Sequence, residues 1–175
     1  MRRFFTRAAW LAVWAALAWT LVVYTPLGRV GIAIRLWTQE LEPPLRVPVQ
    51  GVGPAALSDT WGASRSNGRT HEGIDIFARC GQPVVSATEG LVLGTAQNRL
   101  GGMTVRVLGP GGSMHYYAHL SRYAPDVSAG DHVRPGDTLG FVGNTGNASS
   151  TPCHLHYGIY LAGGARNPFP YLAPR

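Results

Sequence analysis

The sequence predicts an all-β protein: a compact antiparallel β-sheet or sandwich of short hairpins, preceded by one N-terminal hydrophobic helix. The 175 residues include 23 Gly and 13 Pro, which divide the chain into short segments joined by turns. Past residue 48 the apolar residues alternate with polar ones as they do in half-buried strands, and no long amphipathic helical pattern interrupts them. A chain of this length forms one domain with a substantial core, and its hydrophobic fraction of 45% is too high for a disordered protein.

Residues 1–28 are predicted to be a membrane anchor or signal segment. Three Arg lie in residues 1–7, and residues 8–24 carry no charge, a length of 17 residues at the low end for crossing about 30 Å of hydrocarbon. The excess of Arg before this stretch favours a cytoplasmic N-terminus, so the rest of the chain is expected in the periplasm or otherwise outside the inner membrane. The Ala-Leu-Ala of residues 16–18 resembles a cleavage site, so retained anchor and removable signal peptide both stay open.

Residues 29–48 are predicted to be a linker or stalk, and residues 49–175 the domain. Within the linker, GIAIRLWTQELE can form a short helix that Pro43 and Pro44 would end. In the domain, two strands around a glycine turn are predicted for PVVSATEGLVLGTAQ, and hairpins for MTVRVLGPGGSMHYYAHL and DVSAGDHVRPGDTLGFVG. The last predicted strand, CHLHYGIYL, has one apolar face formed by Leu155, Tyr157, Ile159 and Leu161.

The formal net charge of +6 does not indicate a nucleic-acid partner. All 15 basic residues are Arg. Four of them lie in the first 30 residues, where there is no acidic residue. The remaining chain carries 11 Arg against nine acidic residues, and it has no basic cluster interleaved with aromatic residues. The high isoelectric point therefore reports mainly on the N-terminal segment.

Side chains suited to catalysis lie in three short motifs. In HEGID, His71 and Asp75 are four residues apart, so on a strand they share one face. In HLH, His154 and His156 share a strand face in the same way. The motif YAHL places His119 at the end of another predicted strand.

These residue types suit a zinc site. Two imidazoles and one carboxylate leave one position of a tetrahedral zinc ion open for water, as catalytic zinc requires. The ion lowers the pKa of that water to about 7, and a further His can accept the proton. Spacing alone does not say which of His119, His154 and His156 bind the metal. If all three did so, together with His71 and Asp75, the site would be closed and structural.

The order of the motifs resembles a known family. HEGIDIFA, then YAHL, then GNTGN followed by HLHYGI are similar to the LytM/lysostaphin-type zinc metallopeptidases, the β-lytic endopeptidase family, over about residues 59–168. The resemblance implies a compact all-β core. It also implies one zinc ion per domain, Zn²⁺ held by His71, Asp75 and His156.

The same resemblance implies that His154 is the general base and that His119 helps to stabilise the tetrahedral intermediate. It implies a zinc-dependent endopeptidase that hydrolyses peptide bonds in bacterial cell-wall peptidoglycan, with peptidoglycan peptides as substrate. The alternative is a non-catalytic zinc-containing module that docks on and activates a separate cell-wall hydrolase, a partner that the sequence does not identify. One departure is Gly158, which stands where relatives with HLHFE carry an acid and which removes no ligand.

The two cysteines each lie close to an implied ligand, since Cys80 follows Asp75 by five residues and Cys153 precedes His156 by three. If the two strands run antiparallel with those ligands side by side, the thiols come into register, and an exported compartment favours a disulfide. Two buried free thiols and a metal-binding thiolate stay open as alternatives. A cysteine nucleophile acting with His119 is a rival mechanism, but it leaves the HEGID motif without a role.

Other polar residues near the motifs are expected to be structural. His115 is expected to be a partly exposed strand residue and His132 a solvent-facing turn residue. Glu72 is expected at the surface or supporting the ligands. Asn144, Thr145 and Asn147 are expected to be turn formers, with a position at the edge of the cleft as the alternative.

Overall fold

The computed structural model describes residues 9–18, 20, 26–65 and 68–173. It is mostly β, with few helices, which confirms the predicted fold class. Among these residues, three segments are α-helical: α1 (residues 9–18), α2 (Pro26–Thr38) and α3 (Phe169–Leu172). The nine strands are β1 (Ile74–Phe77), β2 (Pro83–Val85), β3 (Gly90–Asn98), β4 (Gly102–Leu108), β5 (Met114–Tyr123), β6 (His132–Val133), β7 (Thr138–Val142), β8 (His154–Leu161) and β9 (Gly164–Arg166).

All nine strands belong to one antiparallel sheet. Its main order is β1-β8-β5-β4-β3-β6, while β7 pairs with both β2 and β5 and β9 pairs with β8. Strand β8 therefore has β1 on one side and β5 on the other, so residues far apart in the chain become neighbours along β8.

The predicted strands are present, but not all of the predicted pairings are. The hairpin of β4 and β5 forms as expected. Strands β6 and β7 do not form a hairpin with each other, because β6 pairs with β3 and β7 with β2 and β5; that prediction was wrong. The turn after β6 instead carries the chain from a position beside β3 to one between β2 and β5.

The core lies on one face of β8, as the alternation of its residues predicts. Leu155, Tyr157 and Ile159 are fully buried in it, and Ile74 and Tyr117 from the adjoining strands pack with them. Because successive side chains of a strand point to opposite faces, His154 and His156 lie on the other face of β8. One face of β8 is therefore packed in the core, and the opposite face carries the two histidines.

His115 is fully buried, so the expectation of a partly exposed residue was wrong. Its position on β5 shares the core-facing alternation of Tyr117, and its ring is satisfied inside the protein. Nε2 lies 2.8 Å from Oγ of Ser113, and Nδ1 lies 2.7 Å from Oη of Tyr157. Burial lowers the pKa of His115 to about 3, which keeps the ring neutral.

The segment expected to be a stalk packs on the domain. Helix α2 begins earlier than expected and ends at Thr38, five residues before the prolines. Its Leu36 is fully buried, and its Arg35 forms an ion pair with Glu89 at the start of β3. Val47 joins the main hydrophobic core.

The predicted N-terminal anchor lies partly outside the described residues, which omit residues 1–8, 19 and 21–25. The part that is described, residues 9–18, is helical, apolar and exposed. Within the described part of the chain, no helix is long and apolar enough to cross a membrane.

Cys80 and Cys153 form a disulfide, with their Cα atoms 5.3 Å apart. Of the three alternatives that the sequence leaves open, the structure therefore has the bridge. The reason is the register of β1 and β8, which places Asp75 opposite His156 and so brings the flanking cysteines together.

Candidate metal centre and catalytic histidines

The ladder between β1 and β8 builds the centre of the site. In it, Asp75 is the direct partner of His156, and Phe77 is the partner of His154. His71 precedes β1 and is held by backbone hydrogen bonds in both directions, donating from its N–H to the carbonyl of Ala63 and accepting from the N–H of Gly62. The HEGID and HLH motifs therefore meet, although Asp75 and His156 are 81 residues apart in the chain.

Three donor atoms converge at this point. Nε2 of His71 lies 2.8 Å from Nδ1 of His156 and 3.1 Å from Oδ1 of Asp75, and Nδ1 of His156 lies 3.2 Å from the same carboxylate oxygen. Groups of three or more His, Cys, Asp or Glu side chains can hold a metal ion, and among the described residues this trio is such a group.

The donor set fits zinc. Ligand atoms at 2.0–2.1 Å around a tetrahedral ion lie roughly 3.3 Å from one another, close to the separations of these three atoms. The Nδ1–H of His71 donates to the carbonyl oxygen of Thr60 at 2.7 Å, so Nε2 of His71 is an electron-pair donor facing two others. A cation between the three atoms relieves their mutual repulsion, and the backbone contact fixes the ring orientation as it does for zinc-binding histidines.

A guanidinium completes the surroundings of Asp75. Arg65 forms an ion pair with Oδ2 of Asp75, which leaves Oδ1 facing the two imidazoles. The backbone N–H of Asp75 donates to Oγ1 of Thr60 at 3.0 Å. Burial alone would raise the pKa of Asp75, but the adjacent imidazoles of His156 and His71 and the guanidinium of Arg65 outweigh it and hold that pKa well below its usual range.

His154 presents one free ring nitrogen to the centre. Its Nδ1–H donates to the carbonyl oxygen of Pro152 at 2.8 Å, so Nε2 carries the lone pair. That Nε2 lies 4.0 Å from Oδ1 of Asp75, beyond hydrogen-bond distance and beside the three donor atoms. His154 is thus buried next to the centre without being part of the trio.

His119 lies on the same side of the centre. Its ring centroid is 5.0 Å from that of His154 and 5.9 Å from that of His156. The φ angle of His119 is positive, at 64°, and among the described residues no other non-glycine residue has a positive φ. This left-handed conformation interrupts the alternation of β5 and turns the imidazole away from the core side.

Thr145 holds His119 in this position, a role that the sequence did not reveal. The Nδ1–H of His119 donates to the carbonyl oxygen of Thr145 at 2.8 Å. The hydroxyl of Thr145 donates to the carbonyl of Leu120 and accepts the N–H of Met103, so it joins the last part of β5 to the start of β4. These hydrogen bonds link segments that are far apart in the chain, so no local sequence pattern predicts them.

Burial makes two of these imidazoles weak bases. Burial lowers the pKa of His119 to about 4, against an opposing effect of the Thr145 carbonyl. Burial also lowers the pKa of His156, although its hydrogen bond with Asp75 acts in the other direction. Both rings are therefore neutral at pH 7, the state in which an imidazole binds a metal or accepts a proton.

Comparison with known proteins places the chain in a family. Residues 69–168, more than half of the chain, match peptidase family M23. The chain belongs to peptidase family M23. The matched range contains all five residues of the implied site, including His71 near its start and His156 near its end.

Relatives of this M23 chain include peptidases with different named targets. It is 40% identical over 65% of its length to L-Ala–D-Glu endopeptidase of Bacillus subtilis (strain 168), covering 38% of that protein. It is 32% identical over 61% of its length to glycyl-glycine endopeptidase ALE-1 of Staphylococcus capitis, covering 30% of that protein. The match thus spans well under half of these relatives. The crystallised catalytic domain of lysostaphin from Staphylococcus simulans has a TM-score of 0.59 and 29% identity, over 66% of this chain and 90% of that one.

The departure at Gly158 has a structural counterpart. A Cβ atom at this position would lie 3.0 Å from the carbonyl oxygen of Glu72 and 3.0 Å from the ring of Tyr160. The tyrosine ring therefore occupies the space beside Gly158 on the site face of β8.

The expected surface positions of Glu72 and His132 are confirmed, since both residues are exposed.

Proposed function

We propose that this M23 protein is a zinc-dependent endopeptidase that hydrolyses peptide bonds in bacterial cell-wall peptidoglycan. The observation that carries the proposal is the arrangement of five side chains. His71, Asp75 and His156 bring three donor atoms within 3.2 Å of one another, and His119 and His154 flank them without joining the trio. A purely structural zinc site would instead close its coordination with a fourth protein ligand.

The trio would hold the ion, and hydrogen bonds select the ligand atoms of two of its members. His71 offers Nε2 because the Thr60 carbonyl holds the proton on Nδ1, and Asp75 offers Oδ1 because Arg65 engages Oδ2. Zinc in such a site supplies Lewis acidity, which polarises a carbonyl group and makes water a stronger acid.

The two flanking histidines handle protons. His154 accepts a proton at Nε2, since its Nδ1–H is committed to the Pro152 carbonyl. The neutral ring of His119 likewise keeps its proton on Nδ1 for the Thr145 carbonyl, so Nε2 can donate a hydrogen bond only in the protonated ring. The proton that His154 takes from the attacking water is the one that must end on the leaving amine, so His119 can stabilise a developing oxyanion from Nε2 only while that proton resides on its own ring.

We also propose that the domain works outside the cytoplasm, held at the inner membrane by its N-terminal segment. The disulfide between Cys80 and Cys153 supports an oxidising compartment. The excess of Arg at the start of the chain and the apolar stretch after it support export with the N-terminus inside. Release of the domain by cleavage after residue 18 is the alternative outcome, which the N-terminal sequence of the mature protein distinguishes.

The test uses the full chain purified in detergent and loaded with zinc. We expect about one zinc per chain and release of peptide fragments from purified sacculi, abolished by a chelator and restored by zinc. His154→Ala keeps its zinc but loses turnover by at least about 100-fold, the usual contribution of a general base. His71→Ala loses both zinc and turnover, while His132→Ala, which removes an exposed imidazole, changes neither.

Two results would contradict parts of this proposal. Turnover that survives in His154→Ala contradicts its assignment as the base. Zinc binding by the wild-type chain without any cleavage of sacculi favours the non-catalytic activator, which pull-down of a cell-wall hydrolase by the zinc-loaded chain would then support.

A further inference from the structure

One large apolar side chain at the site remains unused by the proposed mechanism. Phe77 is 59% exposed although it is a phenylalanine in a strand of the sheet. It is the direct partner of His154 in the β1–β8 ladder, and the two ring centroids are 5.2 Å apart. Because residues two apart on a strand share a face, Phe77 lies on the same face as Asp75. An exposed phenyl ring therefore lies beside the catalytic imidazole.

The backbone that carries Phe77 is tied to the neighbouring chain on both sides. Directly after it, the N–H of Ala78 donates to the carbonyl of Cys153 at 3.3 Å, and the disulfide from Cys153 to Cys80 closes this end of the ladder. The phenyl ring thus lies on a strand end held by a hydrogen bond and a disulfide, where it can present an apolar surface to a bound peptide.

Aromatic rings also border the centre on its other side. Tyr116 lies edge-on to His156, with ring centroids 6.1 Å apart. It also lies edge-on to Tyr160, with ring centroids 6.4 Å apart. Both tyrosines are partly buried, and Gly158 between them carries no side chain. Along β8 the reactive centre therefore has the phenyl ring of Phe77 at one end and two tyrosine rings at the other.

We propose that Phe77 forms an apolar wall of the substrate cleft beside His154 and selects an alanyl residue over a glycyl residue next to the scissile bond. The inference rests on the proposed peptidase function and adds a substrate class to it. A single ring that is open to solvent on one side matches a small apolar group such as a methyl, and glycine has no group to place there. The named targets of two relatives, L-Ala–D-Glu and glycyl-glycine bonds, differ in that methyl at the residue before the bond and in the D-Glu that follows it.

The expected size of the effect is modest. Moving one methyl group from water onto an apolar surface, or filling a pocket with it, changes a rate or an affinity by about 3- to 10-fold when the pocket is partly open. Phe77 should therefore alter the ratio of kcat/KM values for alanyl and glycyl peptides by that factor, with little effect on the glycyl peptide itself.

The experiment first maps the bond that the zinc-loaded full chain cleaves in purified sacculi. Two synthetic peptides follow, with the alanine next to that bond kept or replaced by glycine. The wild-type chain and Phe77→Leu should prefer the alanyl peptide by about 3- to 10-fold, and Phe77→Ala should lose that preference. Leu93→Ala is the matched control, because it removes an apolar side chain that is 45% exposed on β3. Zinc content and the unfolding midpoint check that each variant is folded.

The outcomes separate this inference from the proposed function. A mapped bond with no neighbouring alanine, an unchanged preference in Phe77→Ala, or an equal loss on both peptides overturns it, the last because Phe77 would then act through His154. If the wild-type chain cleaves nothing, the peptidase proposal fails, and calorimetric Kd values for an L-Ala–D-Glu peptide and its Gly analogue take the place of rates. A binding ratio of 3 or more in the wild type that is lost in Phe77→Ala supports the wall, and equal ratios overturn it.

Discussion

Gly73 lies directly against the imidazole of His156. A Cβ atom at residue 73 would fall 2.7 Å from Cε1 of that ring and 2.6 Å from the carbonyl oxygen of Tyr157. Both separations are too short for real contacts, and the carbonyl is backbone that cannot turn aside. His71 and Asp75 are each two residues from Gly73, so the missing side chain lets both ligands approach β8 closely.

Replacement of Gly73 by alanine should therefore damage the centre and the fold together. We expect Gly73→Ala to lower the free energy of unfolding by about 1–3 kcal/mol, the usual cost of overpacking a buried site. Because the loop must move away from His156, zinc affinity should fall by about 10-fold or more, measured by competition with a chelator. Gly53→Ala is the control: its Cβ would meet nothing within 4 Å, so its stability should change by less than about 0.5 kcal/mol. Equal zinc affinities in the two variants would contradict the steric role of Gly73.

Two parts of the site have local signatures in the sequence. The pairs His71 with Asp75 and His154 with His156 each have the spacing of one strand face, although His71 lies just before β1. That spacing marks the candidates, but it does not say which histidines join the trio. The alternation that buries Leu155 also predicts that its neighbours face the other way.

Long-range features could not be predicted in the same way. The turn between β6 and β7 has the local pattern of a hairpin, but the partners of both strands come from elsewhere in the sheet. His115 looks like a surface histidine until Ser113 and Tyr157 supply buried partners. The carbonyls of Thr60 and Thr145, which orient two imidazoles, are backbone atoms that every residue possesses.

Arg65 should matter for metal affinity although it cannot bind the metal. Its guanidinium engages Oδ2 of Asp75 and so fixes which oxygen faces the two imidazoles. We expect Arg65→Gln to weaken zinc binding by about 10- to 100-fold, as the loss of such an orienting partner does. In the Co²⁺-substituted protein, a carboxylate free to bind through both oxygens should weaken the visible d–d absorption as the coordination number rises. Unchanged affinity and an unchanged cobalt spectrum would show that Asp75 is held by other contacts, such as the hydroxyl of Thr60.

The disulfide should contribute substantially to stability. It joins residues 73 apart in sequence, and closing a loop of that length restricts the unfolded chain. We expect the double variant Cys80→Ser, Cys153→Ser to lose about 2–5 kcal/mol of unfolding free energy, measured by denaturant titration without reductant. Reduction of the wild-type protein should reproduce this loss and leave the double variant unaffected. If reductant destabilises both proteins equally, the effect does not come from this bridge.

His115 should make the protein sensitive to acid. The folded state lowers the pKa of His115 from 6.5 to about 3, because burial disfavours the charged ring. Above pH 6.5 the ring is neutral in both states, so its contribution to stability is fully present there. As the pH falls below 6.5, the unfolded chain binds a proton that the folded chain does not, and stability falls by up to about 1.4 kcal/mol per pH unit until about pH 3.

The variant His115→Gln isolates this effect, since glutamine can still hydrogen-bond to Ser113 and Tyr157 but does not titrate. Denaturant titrations of the metal-free protein at pH 7.5, 5.5 and 4.5 give the free energy of unfolding for both chains. Other groups with lowered pKa values, including His119 and His156, are common to both and cancel in the comparison. The variant should be the less stable protein at pH 7.5, and the difference should shrink by up to about 2 kcal/mol at pH 4.5, the discounted value for one proton over that range. Parallel pH profiles would mean that His115 gains access to protons in the folded state, which its complete burial and two hydrogen bonds argue against.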